Sequence, residues 1–196
     1  GNLRYGIVSV DNIPDNADGS ETWTLESSAL DAGITVGAGT IYDAVVLDNT
    51  LYLLHSDGAV TPIAYEGSAY VSKPVQADAA PGGSWKSASV VDLDSNGVKE
   101  IVYGEWLGNG YNIYLLQQDA DTLTKTIIGD FSALGATRIN AGDAGDIDGN
   151  GLIDFVFGSR TGFSTTNNDV YRLEYLGGDI TDPNNYTESI INSKLD

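Results

Sequence analysis

Short hydrophobic runs alternate with polar turns along the whole chain. These runs are rich in Val, Ile, Thr and Tyr and are bounded by Gly, Asn and Asp, which is typical of β-strands. No segment longer than about ten residues keeps the 3.6-residue period of an amphipathic helix. Strands are predicted at residues 5–10, 21–25, 42–47, 50–54, 99–103, 111–116, 123–128, 153–157, 170–175 and 187–191. The pattern therefore predicts an all-β, antiparallel protein.

An internal repeat organises the second half of the chain. Residues 89–104 recur within residues 142–158, with Asp146 in the place of Asp92, an offset of 54. After each copy come a polar turn, a Tyr-containing strand and a strand rich in Thr and Ile, so that each unit has four strands. Four antiparallel strands are the content of a β-propeller blade.

The repeat divides the chain into about three units and a partial one. Residues 86–138 and 139–196 are the two clear blades, and residues 1–38 are predicted to form a partial blade. Residues 39–85 are predicted to form a degenerate blade without a metal, because the loop between its first two strands is short and lacks the ligand set. Propellers generally need four to eight blades to close. We therefore expect either a minimal ring or a fragment that completes its ring or stack with other chain segments.

Each clear unit contains the pattern D-x-D-x-N-G-x-x-[DE]. Oxygen-bearing side chains at alternate positions allow a tight loop to surround a calcium ion, which needs six to eight oxygen ligands. The expected ligands of the first loop are Asp92, Asp94, Asn96, the Val98 carbonyl and Glu100. Those of the second loop are Asp146, Asp148, Asn150, the Leu152 carbonyl and Asp154. The sequence thus predicts two Ca²⁺ sites.

The residues around these loops exclude an EF-hand. An EF-hand needs a bidentate Glu at loop position 12 and flanking helices, whereas position 12 is Tyr103 in the first loop and Phe157 in the second. Both loops lead into β-branched and aromatic residues, which favour a buried strand. Gly97 and Gly151 stand where the chain must turn sharply, and we expect a positive φ at both.

Composition narrows the classes of partner and site. The chain has no Cys and no Met, which excludes disulfides and thiolate metal sites and leaves oxygen ligands as the favoured metal chemistry. The formal net charge of -19 makes nucleic acid and anionic membranes poor partners. No apolar run approaches the 18 or so residues of a membrane span, so no membrane insertion is expected. The acidity is compatible with an extracellular or cell-surface location, and we expect a secreted protein.

The two loops with their following strands resemble the FG-GAP, or integrin α-subunit type, calcium-binding β-propeller repeats. The resemblance is carried by Val90-Val91-Asp92-Leu93-Asp94-Ser95-Asn96-Gly97 with Glu100-Ile101-Val102-Tyr103-Gly104, and by Asp146-Ile147-Asp148-Gly149-Asn150-Gly151 with Asp154-Phe155-Val156-Phe157-Gly158. It covers residues 85–196 well and the first half loosely. It implies calcium at the first strand-to-strand turn of a blade and a structural, adhesive role.

The first loop, with its Glu-Ile-Val-Tyr-Gly ending, is also similar to the calcium loops of the propeller lyases that cleave rhamnogalacturonan. That resemblance implies a fragment of a polysaccharide-degrading enzyme, in which a pocket lined by Arg138, Arg160 or Lys residues would lie beside a calcium. The chain has nine Lys and Arg, and its single histidine, His55, has no triad partners nearby in sequence. We therefore expect no catalytic residues and no enzyme activity.

The favoured interpretation is a calcium-stabilised extracellular binding or adhesion module that presents blade loops to a carbohydrate or protein partner. The alternatives are the lyase fragment and a surface protein that assembles with itself through exposed edge strands. The acidic residues between positions 11 and 21 could hold a third cation, although a solvated acidic loop is the simpler interpretation.

Overall fold

A computed structural model describes residues 8–9, 24–25, 36–66, 69–80, 83–84, 86–106, 110–119, 122–159 and 169–192. Strands β1 (Val8–Ser9) and β2 (Thr24–Leu25) pair with each other. Twelve further strands form three four-stranded antiparallel sheets, and in each sheet every strand pairs with the next one along the chain. The prediction of an all-β, antiparallel protein is confirmed. The predicted partial unit at residues 1–38 lies almost wholly outside the described residues.

The strands of the three sheets fall within the three predicted longer units. The first sheet contains β3 (Ile41–Leu47), β4 (Thr50–His55), β5 (Val60–Glu66) and β6 (Ala69–Ser72). The second sheet contains β7 (Ser89–Val91), β8 (Glu100–Gly104), β9 (Asn112–Asp119) and β10 (Thr122–Asp130). The third sheet contains β11 (Ile139–Gly145), β12 (Asp154–Ser159), β13 (Val170–Tyr175) and β14 (Tyr186–Asn192). Short 3₁₀ turns at Phe131–Leu134 and Pro183–Asn185 are the helical elements in this part of the chain.

The second sheet is covered on both faces. One core joins it to the first sheet and contains Tyr52 and Leu54 of β4 with Ile101 and Tyr103 of β8. The other core joins it to the third sheet and contains Val102 of β8 with aromatic side chains of β12 and β13. Because neighbouring strand residues point to opposite faces, every residue of β8 is buried. The apolar run after the first loop is therefore shared between two cores.

The first strands of the three sheets lie side by side. β7 contacts both β3 and β11. The Asp43 side chain of β3 accepts hydrogen bonds from the Ala88 main-chain N–H (3.0 Å) and the Ser84 hydroxyl (2.7 Å). On the other side of β7, the Ser89 hydroxyl donates to Asp143 Oδ1 of β11 at 3.1 Å. Aspartates of the two flanking sheets thus connect the three sheets along one line.

Two strands of the first sheet, β5 and β6, were not among the predicted strands. Pro62 lies in β5, where a missing N–H normally argues against a central strand. The Pro62 carbonyl accepts from the Lys73 N–H at 2.9 Å, and Lys73 comes directly after the last residue of β6. The missing N–H of Pro62 is therefore on the side of β5 where its pairing with β6 ends. The tight turn before β4 agrees with the prediction, since Asp48 and Asn49 both have the positive φ of a two-residue hairpin loop.

Candidate metal centres

The two predicted loops occupy the same position in neighbouring sheets. The first loop connects β7 to β8, and the second connects β11 to β12, so each joins the first and second strands of its sheet. The last predicted ligands, Glu100 and Asp154, are the first residues of β8 and β12, and both are buried. Most of the other predicted ligand residues are exposed. Each loop therefore has an exposed rim and one buried carboxylate at its base.

Main-chain N–H groups hold the side chains of the first loop. Asp92 accepts from the N–H groups of Asn96 (3.0 Å) and Gly97 (2.9 Å). The Asn96 amide oxygen accepts from the Val98 N–H at 2.6 Å. Glu100 accepts from the Leu93 N–H at 3.2 Å, which closes the base of the loop.

The second loop repeats this hydrogen-bond pattern. Asp146 accepts from the N–H groups of Asn150 (3.1 Å) and Gly151 (2.9 Å). The Asn150 amide oxygen accepts from the Leu152 N–H at 2.7 Å, and Asp154 closes the base by accepting from the Ile147 N–H at 3.0 Å. Each bond of the first loop described above has its counterpart 54 positions later. The two loops therefore share one backbone design.

The backbone angles of the loops match as well. Gly97 and Gly151 have φ values of 88° and 87°, which confirms the positive φ predicted for both. Two residues earlier, Ser95 has φ 59° and Gly149 has φ 77°. Left-handed residues turn the chain tightly enough for the alternate side chains to point into one loop.

The carboxylates of the two loops differ in how closely they converge. Carboxylate oxygens of Asp146, Asp148 and Asp154 all lie within 4.8 Å of one another, which is a spacing that could hold a metal ion. Within the described ranges, no other group of three acidic, His or Cys side chains meets this limit, so Asp92, Asp94 and Glu100 lie farther apart. Carboxylate, amide and carbonyl oxygens are the ligands that calcium prefers, and the donor set of each loop fits that ion.

The charged form of the Glu100 carboxyl is disfavoured in the first loop. Burial raises the pKa of this carboxyl, and the nearby charges of Asp94 and Asp92 raise it further, while the hydrogen bond from the Leu93 N–H opposes the rise. A buried carboxylate beside two others is stabilised by a cation, which is what a calcium ion would supply.

The second loop contains a cation of its own chain. Arg172 of β13 donates from Nε to Asp154, and its Nη2 lies 3.0 Å from Asp148 Oδ2 and 2.6 Å from Glu174 Oε1. Burial opposes the charged form, but the bond to Asp154 and the three carboxylate charges together raise the pKa of Arg172. Glu174 also accepts from the Asn150 side chain at 2.6 Å. Neither Arg172 nor Glu174 was predicted as a site residue, although their alternation with buried Tyr171 and Leu173 places both on the opposite face of β13.

The two loops border one open cavity of about 390 Å³. Its lining comes from both loops and from the turn after β13, namely Leu93, Asp94, Ser95, Gly151, Leu152, Tyr175, Gly177 and Gly178. Burial raises the pKa of Tyr175, and the charge of Asp94 raises it further. The Tyr175 hydroxyl donates to the Gly178 carbonyl at 2.6 Å. The first loop therefore faces the third sheet as well as its own.

His55 has a structural position. Its side chain is fully buried, with Nδ1 2.9 Å from the Gly39 carbonyl and Nε2 2.8 Å from the Thr61 hydroxyl. Both ring nitrogens are thus engaged by the first sheet and the segment before it. The acidic residues between positions 11 and 21, and Arg160, lie outside the described residues.

No helix in the described ranges has the length and hydrophobicity that crossing a membrane requires. The chain matches no protein-family model, and neither a curated protein nor a solved structure is significantly similar to it. The repeated loops are therefore the features on which a functional proposal can be based.

Proposed function

We propose that the chain is a calcium-stabilised, extracellular binding or adhesion module, and that each loop binds one Ca²⁺. The observation that carries the proposal is the repetition of one hydrogen-bond design, with three carboxylates each, at the same turn of two neighbouring sheets. A turn that merely capped a hairpin would need a single Asx side chain, not a buried carboxylate at its base. The residues that would hold the ions are the ten predicted ligands.

We further propose that the sheets are β-propeller blades. Two features support this arrangement: the second sheet packs on both neighbours through opposite faces, and the first strands of all three sheets are adjacent. In a propeller, first strands surround the axis and blades pack face to face. The loops then lie at one end of the blades, where loops commonly carry binding residues.

The proposed partner is a carbohydrate or a protein that contacts the loop end. The open cavity between the two loops supports this choice, because metal-held loops on either side would give it a fixed shape. Its described lining contains an acidic side chain and several glycines and has no Lys or Arg. A calcium ion in each loop would reduce the negative charge that a partner meets there.

The lyase alternative needs basic groups free to act beside a calcium. Arg172 is bonded to three carboxylates, and the Arg138 side chain is half-buried just before β11. This arrangement favours a non-catalytic role, in which the calcium ions stabilise the loops and do not take part in a reaction.

Thermal unfolding with and without calcium tests the proposal. We expect excess EDTA to lower the melting temperature relative to a few millimolar Ca²⁺ by about 5 °C or more per site, because a ligand of the native state stabilises it by mass action. Asp94→Ala and Asp148→Ala are each expected to remove part of the calcium-dependent shift. Asp119→Ala, which removes an exposed carboxylate at the end of β9, is the matched control and should keep the full shift. An equal melting temperature in EDTA and in calcium would refute the proposal.

A further inference from the structure

Arg172 provides the second loop with a positive charge at the place where the carboxylates converge. Its guanidinium contacts Asp148, Asp154 and Glu174. Asp154 is fully buried, and a buried carboxylate without a partner is strongly destabilising. The loop therefore holds its carboxylates together through a side chain of the protein itself.

The first loop has no equivalent cation: among the described residues, no Lys or Arg side chain forms an ion pair with Asp92, Asp94 or Glu100, and Lys99 of the loop itself is exposed. In the third sheet Arg172 pairs with Val156, and at the corresponding place in the second sheet Leu115 pairs with Val102. Leu115 is fully buried in the core between the second and third sheets. On the same face of the third sheet, no further sheet packs within the described part of the chain, so an arginine can lie there. The packing position of each sheet thus explains why only one of the two loops carries the arginine.

We propose that Arg172 is a built-in cation that keeps the second loop folded without metal, whereas the first loop depends on calcium. The metal-dependent half of this inference rests on the proposed function. A Ca²⁺ ion entering the second loop must compete with the guanidinium for Asp148 and Asp154. In the first loop the carboxylates lie farther apart, but Glu100 is buried without such a partner, so a Ca²⁺ ion displaces no guanidinium there. The first loop is therefore the tighter calcium site and fills first.

The metal-free half is tested by thermal unfolding in excess EDTA. Arg172→Leu, which introduces the residue of the other sheet, should lower the melting temperature by on the order of 10 °C, because Asp154 is left buried and unpaired. Arg172→Lys keeps the positive charge but loses the planar guanidinium that contacts several carboxylates at once. Its melting temperature should lie between those of the parent and Arg172→Leu. Lys73→Leu removes the same charge from a surface pair with Glu66 and is the control. If both Arg172 variants have the same melting temperature as the parent and the control, the proposed role of Arg172 is refuted.

The calcium half is tested by calorimetric titration with Ca²⁺ alone. Asp148→Ala isolates the first loop and Asp94→Ala isolates the second, and we expect the first loop to bind more tightly by roughly tenfold, the value of one charge-assisted hydrogen bond. Adding Arg172→Lys or Arg172→Leu to Asp94→Ala should strengthen calcium binding, and adding either to Asp148→Ala should not. A second loop that binds as tightly as the first, or that is insensitive to Arg172, overturns the inference. Absence of calcium binding in the parent refutes the proposed function and this half together, while the EDTA comparison decides the role of Arg172 independently.

Discussion

Glu100 and Asp154 begin equivalent strands and close equivalent loops, yet their electrostatic surroundings differ. Asp154 is bonded to the Arg172 guanidinium. Burial raises the pKa of Glu100, the charges of Asp94 and Asp92 raise it further, and the hydrogen bond from the Leu93 N–H opposes the rise. One residue on a neighbouring strand therefore makes the charge around the two buried carboxylates different.

The pKa of Glu100 predicts a pH dependence in the absence of metal. Because this pKa is raised above its ordinary value of 4.5, the native state binds the proton more readily than the unfolded state does. The resulting stabilisation is fully present below the unfolded pKa and is lost as the pH rises through the folded pKa. We expect Glu100→Gln to be free of this loss, and hence to exceed the parent in free energy of unfolding at pH 7 in EDTA. Urea unfolding from pH 4 to pH 8 measures the difference between the two proteins.

In the presence of calcium we expect the parent to be more stable than Glu100→Gln. A bound ion favours the charged form of Glu100, and the amide of Gln is a weaker calcium ligand than a carboxylate. Glu66→Gln removes an exposed carboxylate of β5 and serves as the control, with a change of no more than about 0.5 kcal/mol. A Glu100→Gln protein that is less stable than the parent under both conditions would contradict the electrostatic explanation.

At the scale of the elements, β8 of the second sheet and β11 of the third sheet approach each other closely at one residue. A Cβ built on Gly104, the last residue of β8, would overlap with Cγ2 of Ile139, the first residue of β11. Ile139 is fully buried, and its N–H donates to the Glu105 carbonyl at 2.9 Å. The absent side chain at position 104 therefore lets the third sheet pack against the second.

Gly104→Ala is predicted to destabilise the protein by about 2 kcal/mol, the middle of the range for overpacking a core. Gly145→Ala in β11 is the matched control, because a Cβ there would meet no atom within 4 Å, and we expect a change below about 0.5 kcal/mol. Equilibrium urea unfolding compares the two variants. Equal stability of both would mean that the approach of β11 to β8 is not limited by residue 104.

The outer strands of the sheets carry features that discourage pairing with another chain. β6 has four residues. β10 contains Lys125 and an irregularity between Ile127 and Gly129, and β14 contains Glu188. Short, charged or irregular edges oppose edge-to-edge association. Self-association through edge strands thus remains a proposal that these elements do not favour.

At the scale of the whole molecule, the three described four-stranded sheets leave two outer faces, one on the first sheet and one on the third, and these faces differ in polarity. The outer face of the first sheet has a groove of about 440 Å³ lined by Val46, Asn49, Leu51, Ile63, Tyr65 and Tyr70. Val46 is 63% exposed and Tyr65 is 56% exposed. The outer face of the third sheet instead carries the Arg172 cluster. An exposed apolar patch such as the groove on the first sheet commonly marks a contact surface.

These faces predict which assemblies form in solution. A head-to-tail stack would bury the charged Arg172 cluster against the apolar face of the next chain, which is unfavourable. A two-fold contact between two apolar faces avoids this and forms a closed dimer. We expect sedimentation velocity to show single chains and pairs but no larger species, and Val46→Lys to remove the pairs. A series of larger species that grows with concentration would support the self-assembling alternative.

The sequence by itself determined the strand class, most of the strands and the design of the two loops. These features are local: alternation selects strands, and Asp, Asn and Gly at fixed spacing select the turn, so Gly97 and Gly151 could be predicted in their backbone conformation. Strands with weak local signals were not predicted. β7 has only three residues, β11 is rich in Gly, Ala and Asp, and β5 contains Pro62.

Only the tertiary structure decided the features that depend on distant residues. The burial of β8 on both faces, the approach of β11 to Gly104 and the hydrogen bonds of His55 result from the packing of separate strands. The same holds for Arg172, which lies 18 positions from Asp154 along the chain and reaches it across the β12–β13 pair. Sequence spacing fixes which atoms a loop offers, but the charge around a loop is set by whichever strands pack beside it.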